Sequence, residues 1–167
     1  MKTLIADLKY KQEVFIRDGH KISFLRVLLT DGTSANVLYR LMRFFAKFKL
    51  SMPLAIMTQY LNKFLNQCVV GIKADFGPGF VLMHPTGVII NSKVSGGKNI
   101  VIESGVVIGD EKCCSPKLEN NIFIGAGAKI IGRVLVGSNS KIGANAVVVK
   151  NVAQNSSVGG VPARLLH

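Results

Sequence analysis

One histidine of this chain lies in a setting suited to proton transfer. His84 follows the segment Gly77-Pro78-Gly79 and precedes Pro85-Thr86-Gly87, and glycine and proline at such positions predict a tight corner. Imidazole, with an ordinary pKa of about 6.5, is the usual base for taking a proton from a hydroxyl at neutral pH. A single histidine can also be structural, but the other two, His20 and His167, lie in a helical region and at the last position. We therefore take His84 as the candidate catalytic base.

A second candidate site consists of small residues in the second half of the chain. Glycine and alanine leave the backbone open to a long, thin ligand whose amide groups can bond to it, although they also simply permit tight corners. Cations in or just beyond the same segments could meet phosphate groups. The candidate ligand-binding residues are Gly125, Ala126, Gly127, Ala128, Lys129, Gly143, Ala144, Lys150, Pro162 and Arg164.

The chain around these residues repeats every six positions. Apolar side chains recur at this spacing from Phe76 to Val148, with Lys112 as the interruption. Neither a helix nor an isolated strand uses this period, so it predicts short strands joined by tight corners in a parallel β-helix. Three hexads would form one coil, and residues eighteen apart would stack at roughly 4.8 Å. We expect a mainly β fold of about four to five coils, with Leu82 stacked on Ile100 and Leu118.

The first seventy residues predict helices instead. One helix is expected from Met1 to about Arg17, a second after the turn at 31–34, and a third from Ser51 to about Gln67. In the third helix we expect the apolar side chains to face inward, namely Leu54, Met57, Leu61, Phe64 and Leu65. The predicted organisation is a helical region at 1–70, a β-helix domain at 71–160 and a C-terminal tail at 161–167. An alternative for the helical region is contact with an anionic membrane through basic residues that flank its apolar faces.

Composition restricts the class of protein further. Hydrophobic residues make up 49% of the chain, which excludes a disordered chain. A net charge of +12 predicts an anionic partner, but no nucleic-acid-binding motif accompanies it. No apolar stretch or leader suggests export, and three cysteines without metal-ligand spacing predict reduced thiols. We expect a cytoplasmic protein with no metal site and no nucleic-acid partner.

Four segments of the repeat resemble a known family. Residues 76–90, 124–130, 141–148 and 160–164 are similar to the serine acetyltransferase branch of the hexapeptide-repeat acyltransferases. The resemblance covers about residues 72–165. It implies a left-handed β-helix, a homotrimer, and transfer of an acetyl group from acetyl-CoA to a hydroxyl in a groove between subunits. It also implies that His84 is the base and that the small and cationic residues bind CoA.

The chain departs from this family at positions that bind the amino acid. The family has an aspartate immediately before the catalytic histidine and an Arg-His pair before a later proline, whereas this chain has Met83 and Cys114-Ser115 there. The family's acidic partner of the histidine, one coil upstream, is Val69 here. The alternatives for that partner are Asp75, Glu103, Asp110 and Glu111.

These departures shape the expected acceptor. A free amino acid would leave its ammonium and carboxylate poorly paired, whereas a sugar hydroxyl needs only neutral hydrogen bonds. We therefore expect an O-acetyltransferase that modifies a sugar of a surface polysaccharide or its precursor, with Asn91, Ser115 and Asn120 binding the substrate. The alternatives are a serine O-acetyltransferase of cysteine biosynthesis and an inactive trimeric β-helix scaffold.

Overall fold

The N-terminal part of the chain is helical. The computed structural model describes residues 2–166, and Met1 and His167 lie outside the described residues. The predicted first helix is confirmed to its end at Arg17, and the helix predicted from Ser51 begins one residue later. The helical elements are α1 (Lys2–Arg17), α2 (Phe24–Val27), α3 (Thr33–Phe45), a 3₁₀ turn (Lys49–Ser51) and α4 (Met52–Asn66).

Fifteen short strands follow in the described residues and build three walls. The first wall has the order β1-β4-β7-β10-β13, the second β2-β5-β8-β11, and the third β3-β6-β9-β12-β14, with β15 antiparallel at its end. All other neighbours pair in parallel, so the predicted mainly β fold with parallel coils is confirmed, as a solenoid of about four turns. The strands are β1 (Val69–Val70), β2 (Asp75–Phe76), β3 (Phe80–Leu82), β4 (Ile89–Ile90), β5 (Ser95–Gly96), β6 (Ile100–Ile102), β7 (Val107–Gly109), β8 (Lys117–Leu118), β9 (Ile122–Ile124), β10 (Lys129–Ile131), β11 (Leu135–Val136), β12 (Lys141–Ile142), β13 (Val147–Val148), β14 (Ser157–Gly159) and β15 (Arg164–Leu165).

The register of the first coils differs from the eighteen-residue prediction. Leu82 pairs with Ile102, and Leu118 pairs with Gly96 and Val136. The corner between β3 and β4 has six residues (83–88) where the corner above it has four (103–106). Between Ile108 and Lys117, which pair with Ile90 and Ser95 of the coil below, eight residues (109–116) replace four (91–94). Two plus four extra residues make one hexad, which keeps the sequence period while moving Leu118 to another wall.

Helix α3 closes the open end of the first coil. The buried Tyr39 ring contacts Phe80 edge-on at 5.1 Å between centroids, and its hydroxyl donates to the Ala74 carbonyl. Asn36 donates to the Phe80 carbonyl at 2.8 Å and accepts from the Leu82 amide at 3.0 Å. Because these bonds occupy the backbone groups of an edge strand, α3 protects the end of the solenoid from further pairing.

Helix α1 lies along the third wall. Val14 packs on Val81 and Val101 in a small apolar cluster. Asp7 is buried, forms an ion pair with Arg40 at 2.7 Å, and accepts from the Gly79 and Phe80 amides at 2.9 and 3.1 Å. One carboxylate thus joins α1, α3 and the start of β3.

The predicted inward face of α4 is wrong. Leu54, Met57, Leu61, Phe64 and Leu65 are all exposed, and the buried residues of the helix are Ala55, Thr58 and Asn62. Asn62 donates to the Ala35 carbonyl on α3, and Thr58 donates to carbonyls of its own helix, so both buried polar side chains have acceptors.

Asp7→Ala should lower the free energy of unfolding by about 3 kcal/mol, because it leaves a half-buried guanidinium without its carboxylate and two buried amides without acceptors. Asp75→Ala is the matched control, since Asp75 pairs with Arg43 at 2.9 Å while its side chain is 70% exposed. That control should cost less than about 1 kcal/mol. Chemical denaturation measures both, and equal losses would contradict a special role for the buried pair.

Candidate active site

The enlarged corner of the first coil carries His84. The six residues of this corner must span the distance that four span in the coils above, so the extra length projects outward. Leu82 and Val88 at its ends are fully buried, whereas the His84 side chain is 60% exposed. The corner therefore presents the imidazole to solvent from a rigid base.

A carboxylate from the helical region contacts this imidazole. Asp31 Oδ2 lies 3.0 Å from His84 Nδ1. Asp31 stands in the turn before α3, where Gly32 has φ +76° and lies so close to the Leu82 carbonyl that an added Cβ would overlap it. The sequence analysis took this segment only as a turn, and the separation of 53 residues from His84 left no local signal for the pair.

The carboxylates suggested from sequence as the histidine's partner lie elsewhere, with one exception. Asp75 pairs with Arg43, Asp110 bonds to Ser115, and Glu111 belongs to the 109–116 loop. Glu103 is the exception, because it lies directly above Met83 in the next coil and the charge of His84 acts on it. Asp31 is nonetheless the residue in contact.

A buried lysine holds the turn of Asp31 in place. Lys11 on α1 is 1% exposed and donates to the Asp31 carbonyl, to Thr33 Oγ1 at 3.3 Å and to the Leu82 carbonyl at 3.4 Å. Burial lowers the pKa of Lys11 to about 8, and the charges of Asp31 and Glu103 partly oppose this. Lys11 thus ties together α1, the turn before α3 and the strand that leads to His84.

A cleft lined by two carboxylates and two cations opens at the end of α1. It has a volume of about 440 Å³ and lies between the end of α1 and the third wall, where Arg17, Asp18 and Glu103 line it. Burial raises the pKa of Glu103, and the charge of Asp18 raises it further, while the charges of His84 and Lys11 lower it. His84 does not line the cleft, but Glu103 connects the two because its carboxyl interacts with both.

A column of small residues rises from the corner of His84. In each coil an amide donates to a carbonyl of the coil beneath it: Gly105 to Thr86, Gly127 to Ser104 and Asn145 to Ala126. The structure thus brings five of the predicted ligand-binding residues onto one edge of the solenoid above the imidazole. They are Gly125, Ala126, Gly127, Gly143 and Ala144.

Glycine has a structural role in this column as well. A Cβ at Gly125 would lie 2.7 Å from the Ala144 amide nitrogen, and Gly127 has φ +72°. Ala128 differs from its neighbours, because its side chain is fully buried in the solenoid core and faces away from an external ligand. Ala128 is a core residue and not a groove residue.

The predicted cationic residues lie towards the far end of the solenoid. Lys150, Pro162 and Arg164 line one cleft of about 430 Å³. Lys129 is exposed on the first wall and donates to the Gly127 carbonyl at 3.0 Å. Cations therefore stand at and beyond the upper part of the small-residue column.

The three predicted substrate-binding residues do not meet His84 within one chain. Asn91 and Ser115 lie on the edge between the first and second walls, and Asn120 lies on the edge between the second and third. Their polar groups also have other partners: the Asn91 side chain accepts from the Lys93 amide at 3.0 Å, and that of Asn120 accepts from the Lys98 amide at 2.8 Å.

Comparison with known proteins places this geometry in a family. The family model for the bacterial transferase hexapeptide (six repeats) matches residues 115–150. The serine acetyltransferase of Synechococcus elongatus is 32% identical over 99% of this chain and 68% of its own length, and that of Helicobacter pylori is 31% identical over 97% and 98%. Among solved structures, the Brucella abortus serine acetyltransferase in complex with coenzyme A superposes with a TM-score of 0.89 at 32% identity. The Neisseria gonorrhoeae enzyme in complex with serine gives 0.88 at 31%.

These similarities extend over almost the whole of this chain. Both structural matches include 99% of this chain. The chain spans only 66% and 68% of the two matched proteins, about two thirds of their length. The fold and the matched repeats define a hexapeptide-repeat transferase. The chain belongs to the serine acetyltransferase family. The predicted family and enzyme class, an O-acetyltransferase, are thereby confirmed.

The predicted sugar acceptor is wrong. The relatives are consistently serine acetyltransferases, which favours the alternative acceptor. The prediction failed because it looked for charges only within the hexapeptide segment, at Met83 and Cys114-Ser115. The structure brings Asp18, Asp31 and Glu103 to the site from α1, the turn before α3 and the coil above.

The pH dependence of stability should report on Lys11. Its folded-state pKa of about 8 lies below the ordinary 10.5, so between these values the folded chain binds fewer protons at this group than the unfolded chain, and stability rises with pH. The difference in free energy of unfolding between the natural chain and Lys11→Met should grow by about 2 kcal/mol from pH 7 to 10. Denaturation of both proteins across this range measures it, and other titrating groups cancel. A constant difference would contradict the lowered pKa.

Proposed function

We propose that this chain transfers the acetyl group of acetyl-CoA to the hydroxyl of L-serine. The observation that carries the proposal is the contact between Asp31 and His84 at the foot of the small-residue column. A cleft with charged side chains of both signs lies on the adjoining wall. The expectation of acetyl-CoA as co-substrate agrees with family membership and with relatives solved in complex with coenzyme A.

The imidazole is the base of the proposed reaction. Asp31 accepts the Nδ1 proton of His84, which leaves the lone pair of Nε2 free for the serine hydroxyl. As His84 takes that proton, the serine oxygen attacks the thioester carbonyl and forms a tetrahedral intermediate. The intermediate then collapses, the C–S bond breaks, and the imidazolium returns its proton to the departing thiolate. O-acetylserine and CoA are the products, and the base is regenerated.

The charged side chains of the cleft account for recognition of an amino acid. Asp18 and Glu103 face the same space, and the charge of Asp18 contributes to raising the pKa of Glu103. A substrate ammonium between them would relieve this repulsion and pair both carboxylates. Glu103 thus supplies, one coil above, the carboxylate that the family carries at the position of Met83. Arg17 and Lys141 line the same cleft and offer cations for the substrate carboxylate.

The small-residue column is the proposed path of the donor. From the corner of His84 to the last corner at Gly160 is four coil steps, or roughly 20 Å, a span that an extended pantetheine arm and its diphosphate cover. Exposed Ala126 and Ala144 leave room for the arm. Lys129, Lys150 and Arg164 would bind the phosphate groups, and Pro162 would border the nucleotide.

We also propose a homotrimer in the cytoplasm, as the family resemblance implies. Exposed apolar side chains on the outer faces of the solenoid favour self-association, and they include Ile89, Phe123, Leu135 and Val149. A trimer would bring a neighbour's Asn91 and Ser115 edge towards the groove of His84. Light scattering of the purified chain tests the trimer, and a monomer at working concentration would contradict it.

His84→Ala should reduce kcat at least 100-fold, because the attacking hydroxyl loses its base. Asp31→Asn should reduce kcat about 10-fold, since an amide fixes the imidazole less well. Thiol release from acetyl-CoA in the presence of serine measures both. Asp75→Asn is the matched control, because Asp75 pairs with Arg43 and not with His84, and it should retain near-natural turnover. Near-natural turnover in His84→Ala would refute the assignment of the base.

Glu103→Gln should raise KM for serine at least 10-fold with a smaller effect on kcat, because it removes one of two partners of the ammonium. N-acetylserine has no ammonium, so the natural chain should acetylate it slowly. Glu103→Gln should change that slow rate much less than it changes the KM for serine. Glu13→Gln removes an exposed carboxylate of α1 and serves as the control. An equal loss with both acceptors would place Glu103 outside ammonium recognition. Activity with sugars and none with serine would overturn the proposed acceptor.

A further inference from the structure

Helix α4 has its polar and apolar sides reversed relative to an ordinary surface helix. The polar side chains in its middle face the protein, where Gln59 donates to the Val70 carbonyl at 2.9 Å and Asn62 donates to the Ala35 carbonyl at 3.3 Å. Thr58 is buried beside them and donates to carbonyls of its own helix. A surface helix normally turns its apolar stripe to the core and its polar side to water. The reversal indicates that the outer side of α4 meets an apolar environment.

The outer side of α4 is accordingly apolar and continues onto the turn before it. Phe64 is 84% exposed, Tyr60 65% and Leu50 96%. A contiguous set of this kind is far larger than the single exposed apolar residues that surfaces usually carry. We name this set the α4 face, and it comprises Phe44, Phe48, Leu50, Leu54, Met57, Tyr60, Leu61, Phe64 and Leu65.

The charge around the α4 face has one sign. From Gly32 to Ala74 the sequence contains no aspartate or glutamate. Lys47, Lys49 and Lys63 are exposed beside the apolar side chains. The two arginines of α3 are engaged elsewhere, Arg40 with Asp7 and Arg43 with Asp75. The face therefore combines exposed aromatic and aliphatic side chains with three lysines and no nearby acid of its own segment.

The apolar side chains and the lysines of the α4 face decide between two possible partners, a second copy of this chain and an anionic membrane. A second copy that met this face through its own α4 face would add the same three lysines and no carboxylates, so like charges would oppose one another around the contact. An anionic bilayer offers hydrocarbon to the apolar side chains and phosphates to the lysines. Tyrosine is suited to the boundary between them, because its ring is apolar and its hydroxyl is polar. No helix within residues 2–166 is long and apolar enough to cross a bilayer, so the helix would lie in its surface.

We propose that the α4 face binds the surface of a membrane rich in anionic phospholipid. Helix α4 would lie parallel to the bilayer, with Tyr60 and Phe64 in the interfacial layer and Lys47, Lys49 and Lys63 at the headgroups. The helix ends at the first coil, where the Gln67 carbonyl accepts from the Gly87 amide at 3.0 Å, three residues beyond His84. Membrane binding would therefore hold the end of the solenoid that carries the imidazole near the bilayer.

Flotation of the full chain with vesicles tests this proposal without reference to catalysis. Vesicles of phosphatidylcholine alone are compared with vesicles containing three parts in ten of phosphatidylglycerol, at low and high salt. The natural chain should float with the anionic vesicles at low salt, at least 10-fold less at high salt, and not with phosphatidylcholine alone. Absence of binding to anionic vesicles would overturn the proposal.

Two pairs of variants locate the contact. Tyr60→Ser with Phe64→Ser, and separately Lys47→Glu with Lys49→Glu, should each reduce the vesicle-bound fraction at least 10-fold. The apolar control is Leu25→Ser with Leu29→Ser, because these leucines lie outside the α4 face and are 74% and 88% exposed. The charge control is Lys98→Glu on the solenoid. These controls should bind like the natural chain. Equal loss in controls and test variants would overturn the assignment to α4.

Light scattering and acetyl transfer in vesicle-free buffer separate the remaining outcomes. All variants should keep the natural melting temperature, oligomeric state and turnover, because none of the changed residues contacts the active site. If Tyr60→Ser with Phe64→Ser instead halves the oligomer, a second copy covers the face and the proposal falls. Vesicle binding by a chain that lacks acetyl transfer would leave this proposal standing while the proposed function fails.

Discussion

The backbone ladder between coils is the constraint on which the rest of the structure depends. Every coil must return to the same three walls in parallel register, so any residue beyond the regular number has to leave the coil at a corner. Two extra residues leave at 83–88 and four at 109–116. The first of these places His84 outside an otherwise closed apolar column. The candidate base is thus exposed because the core beneath it is rigidly stacked.

The helical region has two roles that use the same contacts. It closes the end of the solenoid, since Asn36 and Tyr39 bond to the backbone of the first coil. It also completes the candidate active site, because Lys11 fixes the turn that brings Asp31 to His84. Burying an ammonium is costly unless it is fully hydrogen-bonded, and Lys11 meets this condition with two carbonyls and a hydroxyl. Stability and the geometry of the site are therefore coupled at one residue.

The accuracy of sequence-based prediction differed between local and distant features. The hexad predicted strands, corners and interior residues correctly, because a period of six is set by each coil itself. It could not show the shift of Leu118 to another wall, since two insertions that sum to six restore the phase. The inward face of α4 was wrong because exposure depends on what covers a helix, and hydrophobicity alone does not reveal that. The sugar acceptor was wrong because the charged residues near His84 come from distant segments.

The sequence by itself determined the parallel solenoid, its terminal helices and the family, and it singled out His84 as the candidate base. These follow from local spacing, in which each side chain is constrained by neighbours within one turn or coil. Only the tertiary structure decided that Asp31 contacts His84, that Asp18 and Glu103 face one cleft, and that α4 turns its apolar side to solvent. Those facts depend on how α1 and α3 pack against the first coils. The residues that meet there are far apart in the chain, so no short-range sequence pattern encodes their contacts.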